Sequence, residues 1–190
     1  MDSLKKVFVI SFSSRKNGNS FHIASYVTQA LKNAVLHEHV EMIDFSSIIS
    51  NVCGECNYEC FDNMCIYLND DIYNLYRKLL TADLIFSIVP IYCGLPCSNY
   101  FIFNERIQGA LRGDEFSKLD SVKKKYIIIG NTGIQISKEI FSQNDDELME
   151  SDILSLRSND VCERSIKGNL MEYDYYKKLL DDFLNVNRLP

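Results

Sequence analysis

Val7-Phe-Val-Ile-Ser-Phe-Ser-Ser-Arg-Lys-Asn-Gly-Asn-Ser20 decides how this chain is read. Val7 to Ile10 is a short apolar run. A polar loop of serines, bases, asparagines and one glycine follows. From 19 to 32, Phe21, Ile23, Ala24, Val27, Ala30 and Leu31 recur at helical spacing. A buried strand that stops in a hydroxyl-rich loop and restarts as a helix is suited to holding an anion. The first N–H groups of the helix point outward, and its dipole favours negative charge there. Arg15 and Lys16 add full positive charges. Asn19 or Ser20 is the expected helix cap. The stretch therefore reads as a phosphate site.

Working outward, residues 5–10 form a first strand, apolar enough to be buried on both faces. Val40, Met42, Ile43 and Phe45 mark a second strand at 39–45, which closes a βαβ unit. Asp70 or Asp71 starts a helix with Ile72, Leu75, Tyr76, Leu79 and Leu80 on one face. A third strand follows at 83–90 and a loop at 90–97. The spacing then predicts a helix over 98–111, a fourth strand at 125–130 and the loop Asn131-Thr-Gly-Ile. A helix at 137–149, a fifth strand at 151–157 and a last helix at 171–184 complete the pattern. Apolar strands alternating with helices imply an α/β fold, a parallel sheet covered on both faces. No repeat, low-complexity tract or linker interrupts it, so one domain over 1–190 is expected.

The 190 residues are 46% hydrophobic and 24% charged, an ordinary globular composition, with a net charge of −6. The acidic balance argues against nucleic acid or an anionic membrane as a partner for the whole surface, though not against a local basic pocket. No apolar run approaches the roughly 18–20 residues of a membrane span. No signal peptide is read at the N-terminus, and a cytoplasmic location is the simplest expectation.

In a parallel sheet, ligands bind beyond the carboxyl ends of the strands, where the strand order switches. Three loops share that edge: 11–19, 90–97 and 130–133. Together they resemble the NADPH-dependent FMN reductase family of flavodoxin-like proteins. Ser13-Ser-Arg-Lys-Asn-Gly-Asn-Ser20 looks like its phosphate signature. Asp83-Leu-Ile-Phe-Ser-Ile-Val-Pro-Ile-Tyr-Cys-Gly94 looks like its second signature, and Phe103-Asn-Glu-Arg106 is similar to its segment on the next helix. The resemblance implies a flavodoxin-like three-layer sandwich with a five-stranded parallel sheet in the order 2-1-3-4-5. It also implies bound FMN, NAD(P)H as co-substrate and a homodimer. Ser13, Arg15, Asn19 and Ser20 would then hold the phosphate. Pro90, Ile91, Tyr92, Cys93 and Gly94 would run along the flavin ring, and Asn131, Thr132 and Gly133 would close its other side. No catalytic base or nucleophile is expected, because the flavin carries the electron chemistry. The acceptor would be a quinone, flavin, nitro compound or similar molecule. Three departures stand out. Phe12 occupies a position where the family usually has glycine, demanding a different loop path, and Ser14 one where it often has proline. Cys93 replaces a common aromatic residue.

Cys53, Cys56, Cys60 and Cys65 are four of the chain's seven cysteines. Four thiols so close suit an iron–sulfur cluster or a structural zinc. A reduced, unmetallated loop is the third reading. The iron–sulfur flavoprotein branch of the family carries a cysteine run in this loop, where a [4Fe–4S] cluster passes electrons to FMN. The alternative function implied is an electron carrier. A further alternative is a flavodoxin-like module without catalysis. Cys97 and Cys162 read as small buried apolar side chains.

Overall fold

The computed structural model describes residues 6–34, 39–54 and 56–185. Strand β1 (Lys6–Ser11) has Phe8 and Ile10 on one side and Val7 and Val9 on the other, all fully buried. Lys5, expected as its first residue, lies outside the described residues. Helix α1 (Asn19–Asn33) returns the chain to β2 (His39–Asp44), which pairs parallel to β1 with Val7 opposite Val40. Asp70 caps helix α2 (Asp71–Leu79) by accepting the Tyr73 N–H at 2.9 Å. Strand β3 (Leu84–Tyr92) runs beside β1 with Val7 opposite Leu84.

The third strand thus extends through Pro90, expected as its last residue, to Tyr92. Pro90 keeps parallel register with Ile129 of the strand at Lys123–Ile129, while its carbonyl accepts from the Cys97 N–H. A short strand β4 (Leu95–Pro96) folds back antiparallel on β3, which the sequence pattern did not anticipate. The helix expected over 98–111 is divided into α3 (Ser98–Glu105) and α4 (Ile107–Ala110), with Arg106 at the junction. Helix α5 (Glu115–Asp120) leads into β5 (Lys123–Ile129). Helix α6 (Ile134–Gln143) starts three residues before the expected helix and ends earlier, at Gln143. Strand β6 (Ile153–Leu156) pairs parallel with β5, and α7 (Asp174–Asn185) ends the described chain.

The main sheet has the order β2-β1-β3-β5-β6. Counting its five parallel strands alone, this is the expected 2-1-3-4-5. Two cores flank the sheet. Phe8, Ile10, Val89, Tyr126 and Ile128 face Tyr76, Tyr100 and Phe141 on one side. Val7, Val9, Ile88, Ile127 and Ile129 face Ile23, Val27, Tyr176 and Leu180 on the other. The layers are therefore helices, sheet, helices. No described helix is long and apolar enough to cross a membrane.

Candidate functional site

β1 and β3 are neighbours whose connections leave in opposite directions, so the switch in strand order falls between them. Phe12 follows β1 and turns inward. Its ring packs 4.7 Å from Phe45, 5.4 Å from Tyr100 and 5.5 Å from Phe103. Phe12 thus trades the freedom of glycine for an aromatic anchor that pins the loop from below. Ser13 is buried, and its Oγ accepts the Arg15 N–H at 3.1 Å. Asn17 takes the left-handed conformation (φ 53°), which short amides tolerate.

Gly18, in extended conformation, occupies the cap position of α1 and contributes no side chain. This corrects the expected cap. Asn19 and Ser20 are the first helical residues, and both are buried. No acidic residue occupies the first turn. At the end of β1, Ser11 Oγ is buried without a hydrogen-bond partner. An uncapped, acid-free helix start with an unpaired hydroxyl beneath it fits a phosphate monoester.

A segment with no sequence-level signal completes this region. After β6 the chain makes 3-10 turns at Ser165–Lys167 and Leu170–Glu172. Arg15 Nη2 donates to the Ile166 carbonyl at 3.0 Å, and the Leu170 N–H donates to Asn19 Oδ1 at 3.0 Å. Gly168 (φ 75°) lies against the loop, where an added Cβ would sit 3.6 Å from the Asn17 carbonyl oxygen. We call residues 165–172 the strap. Arg15 and Asn19, expected as phosphate ligands, are thus also its attachment points.

The second loop is a tight hairpin. Tyr92 pairs with Leu95 across Cys93 (φ 53°) and Gly94 (φ 83°). Two consecutive positive φ values define a type I′ turn, whose twist suits adjoining strands. Pro90 is buried and Ile91 partly so, whereas Tyr92 and Cys93 are exposed at the tip. Loop one is bound to this unit, because the Phe12 carbonyl accepts from Cys97 Sγ at 3.2 Å and Asn99 Nδ2 at 3.0 Å. Burial pushes the Cys97 thiol up to about 11, so it remains a neutral donor.

The third loop touches the second. Gly133 (φ 72°) lies with its Cα against Gly94, and an added Cβ would meet Gly94 Cα at 2.6 Å and overlap its carbonyl. Gly130 is similarly close to Ile91, where a Cβ would stand 2.6 Å from Ile91 Cβ. Residues 90–94 and 131–133 therefore form one continuous wall rather than two sides of a slot. Thr132 is exposed on it. Asn131 faces the β6 side, donating to Ser158 Oγ at 2.9 Å and accepting the Asn159 N–H at 3.1 Å.

The cysteine loop lies between the 3-10 turn at Phe45–Ser47 and α2, fastened by two arginines, of which the sequence pattern marked Arg106 only as part of the Phe103–Arg106 segment and did not mark Arg112. Arg106 is fully buried. It pairs with Asp70, donates to the Asn51 carbonyl at 3.0 Å and reaches Cys65 Sγ at 3.7 Å. Its guanidinium also lies 4.9 Å from the centre of the Tyr67 ring. Burial alone would raise the Asp70 pKa, but the Arg106 hydrogen bonds and the Tyr73 N–H hold it below the usual carboxylate range. Arg112 donates to the Cys60 carbonyl at 2.5 Å and to that of Asn63.

The four thiols differ in access. Cys53 is exposed and Cys56 half-buried, whereas Cys60 and Cys65 are buried. Cys65 lies behind α4, where a Cβ on Gly109 would stand 2.9 Å from its sulfur. Among the described residues, no three Cys, His, Asp or Glu side chains are placed to share a metal ion.

Sheet order and anion loop define a flavodoxin-like α/β protein. The sequence model of the NADPH-dependent FMN reductase family matches residues 5–99, half of the chain. The chain belongs to this family of NAD(P)H-dependent FMN oxidoreductases. No curated protein matches it by sequence. Among solved structures it is similar to RosB with a bound 8-demethyl-8-formylriboflavin-5′-phosphate intermediate (TM-score 0.68, 13% identity, covering 96% of this chain and 77% of that one). It is also similar to an FMN-dependent NADH-azoreductase from Bacillus anthracis str. Ames Ancestor in complex with FMN (0.65, 9%, covering 96% and 99%). A third is an NADPH-quinone reductase from P. pentosaceus (0.55, 12%, covering 98% and 99%). At these identities the likeness is one of fold.

Proposed function

We propose that this enzyme holds FMN beyond the carboxyl ends of β1, β3 and β5, and uses NAD(P)H to reduce a small organic acceptor. A quinone, a free flavin or a nitro compound is the class of acceptor. When bound, the flavin supplies the two-electron chemistry between nicotinamide and acceptor. The protein binds, orients and shields.

The observation that carries this reading is the start of α1, which has no side-chain cap and no acid in its first turn, above the unpaired Ser11 hydroxyl. A phosphate there would take N–H groups of the first helical turn, with Ser13 and Ser20 supplying hydroxyls. Arg15 would add a charge-assisted bond from the rim. Asn19 would fix the strap beside it. A planar ring would lie along the wall built by Pro90, Ile91, Tyr92, Cys93 and Gly94 and continued by Thr132 and Gly133. Asn131 would brace this wall rather than touch the ring, given its bonds to Ser158 and Asn159. Exposed Tyr92 and Cys93 would border the place where acceptors enter.

The test is an absorbance spectrum of the purified protein, followed by anaerobic stopped-flow mixing with NADPH and with NADH. A flavin spectrum that bleaches with either nucleotide is expected. No bleaching at saturating levels of both would sink the reductase reading. We also propose a homodimer, supported by the exposed apolar side chains of Tyr92 and Leu95 on the hairpin. A monomeric mass by light scattering at working concentration would overturn it.

A further inference from the structure

Close-packed protein interiors hold few voids larger than a water molecule. The core on the α2 and α3 side of the sheet departs from this, with a cavity of about 140 Å³. Its floor is the face of the sheet. Ser87 of β3 sits there between its register partners, Ile10 of β1 and Tyr126 of β5. Rings of Phe12, Tyr76, Tyr100 and Phe103 wall the cavity, and Leu79, Ile85, Ile107 and Leu119 complete its apolar lining. It opens past Asp120, the last residue of α5, and Asn144, which follows α6; both are exposed. The Tyr76 hydroxyl donates to the Phe103 carbonyl at 2.6 Å, and Asn104 Nδ2 to the Tyr100 carbonyl at 2.7 Å. At the mouth, Lys124 Nζ donates to the Asp120 carbonyl at 3.1 Å and lies 3.6 Å from the Asp145 carboxylate. Ser87 stands apart. It is 7% exposed, and its Oγ has no hydrogen-bond partner among the described residues.

We propose that this cavity is a binding site for a neutral, single-ring phenol. Volume sets the size, since a cavity of about 150 Å³ admits a benzene ring. The surrounding aromatic side chains offer edges and faces for ring packing. One hydroxyl on the ligand would share a hydrogen bond with Ser87 Oγ, so that neither buried group is left unmatched. A buried water takes about three hydrogen bonds, which suits this ring-lined space less well than a phenol does. The ligand class is neutral because Lys124, the cation at the mouth, already faces Asp145, and the other charged group lining the cavity is Asp120. A carboxylate inside would be desolvated without a partner.

This site is separate from the proposed flavin site. Among the described residues, neither the hairpin wall at 90–94 nor the loop at 131–133 lines the cavity, and nor do Ser13, Arg15 and Ser20. Phe12 is the residue it shares with the anion loop. Phenol binding here therefore stands or falls separately from the proposed reductase activity.

The experiment titrates the full-length protein as purified, with labelled isoleucine methyls, against phenol, benzene and benzoate. Phenol should shift the NMR signals of the Ile10, Ile85 and Ile107 methyls and leave those of Ile23 and Ile127, in the opposite core, unmoved. Calorimetry should show phenol binding about fivefold more tightly than benzene, the ratio for one net hydrogen bond, and no binding of benzoate. Ser87→Ala keeps the space and removes the hydroxyl, so benzene should still bind and the preference for phenol should vanish. Ser87→Leu adds bulk at the cavity floor and should abolish binding of both, with circular dichroism checking that the variant is folded. Phenol that alters the flavin absorbance but leaves the three methyls unmoved would overturn the proposal. Equal affinity of the wild type for phenol and benzene would also overturn it, as would a preference for phenol that survives in Ser87→Ala.

Discussion

Phe12 shows how one side chain can replace the conformational role of another. The family's usual glycine would leave the aromatic group of Phe45, Tyr100 and Phe103 without its central ring. Phe12→Gly should therefore cost about 3–5 kcal/mol or more, in the range of large-to-small core changes. Urea unfolding with an unchanged midpoint would contradict this. Arg106 belongs to the same scale. Arg106→Met would leave Asp70 buried and unpaired, and breaking such a pair costs about 3–5 kcal/mol. The same Asp70 lends the fold an acid sensitivity. Its folded pKa lies below its unfolded value, so its contribution is fully present above the ordinary carboxylate range. That contribution is lost as pH falls through the depressed pKa. In Asp70→Asn, the fall in melting temperature between pH 6 and pH 3 should be shallower than in the wild type. Arg15→Ala should weaken FMN binding by about 1.5–3 kcal/mol, the value of a hydrogen bond to a charged group. Flavin fluorescence titration gives this directly, and an unchanged affinity would remove Arg15 from the phosphate site.

At the scale of elements, the joined wall of hairpin and β5 loop depends on glycine for two distinct reasons. Gly94 supplies a positive φ to the turn. Gly133 supplies both a positive φ and the absence of a Cβ where the Gly94 backbone passes. Gly133→Ala is therefore expected to push the two loops apart, lower flavin affinity and speed amide exchange at residues 91–95. Gly94→Ala should mainly cost the turn its strain-free geometry, about 1 kcal/mol. The βαβ start was legible because a buried strand and an amphipathic helix each write a period into the sequence. The hairpin was less so, since Cys-Gly is an uncommon I′ pair and β4 is only two residues long. The α1 cap was misread because Asn19, a favourable cap residue by type, is buried and turned to Leu170. The strap was invisible, as its short 3-10 turns have no apolar period.

For the molecule as a whole, alternating strands and helices made the sheet and its switch point readable before any coordinates. The candidate site was readable only in outline. Residues in contact through packing, such as Gly94 with Gly133 or Arg106 with Asp70, are too far apart in sequence to announce one another. The cysteine loop illustrates this best. Its spacing suits a metal, whereas the placement of Cys65 beside α4 depends on Gly109 and Arg106, which lie over forty residues downstream.

The strap has a consequence for how the protein is made. Arg15 and Asn19 meet their strap partners across 151 residues of chain. During synthesis the anion loop leaves the ribosome long before the segment that braces it. A nascent chain released or cleaved before Ile166 would keep its family signature intact and lack the brace. Chains ending at residue 163 should therefore bind FMN more weakly than chains that include the strap, even where their sheet has formed. Cofactor loading would then serve as a check that the strap has been made and docked.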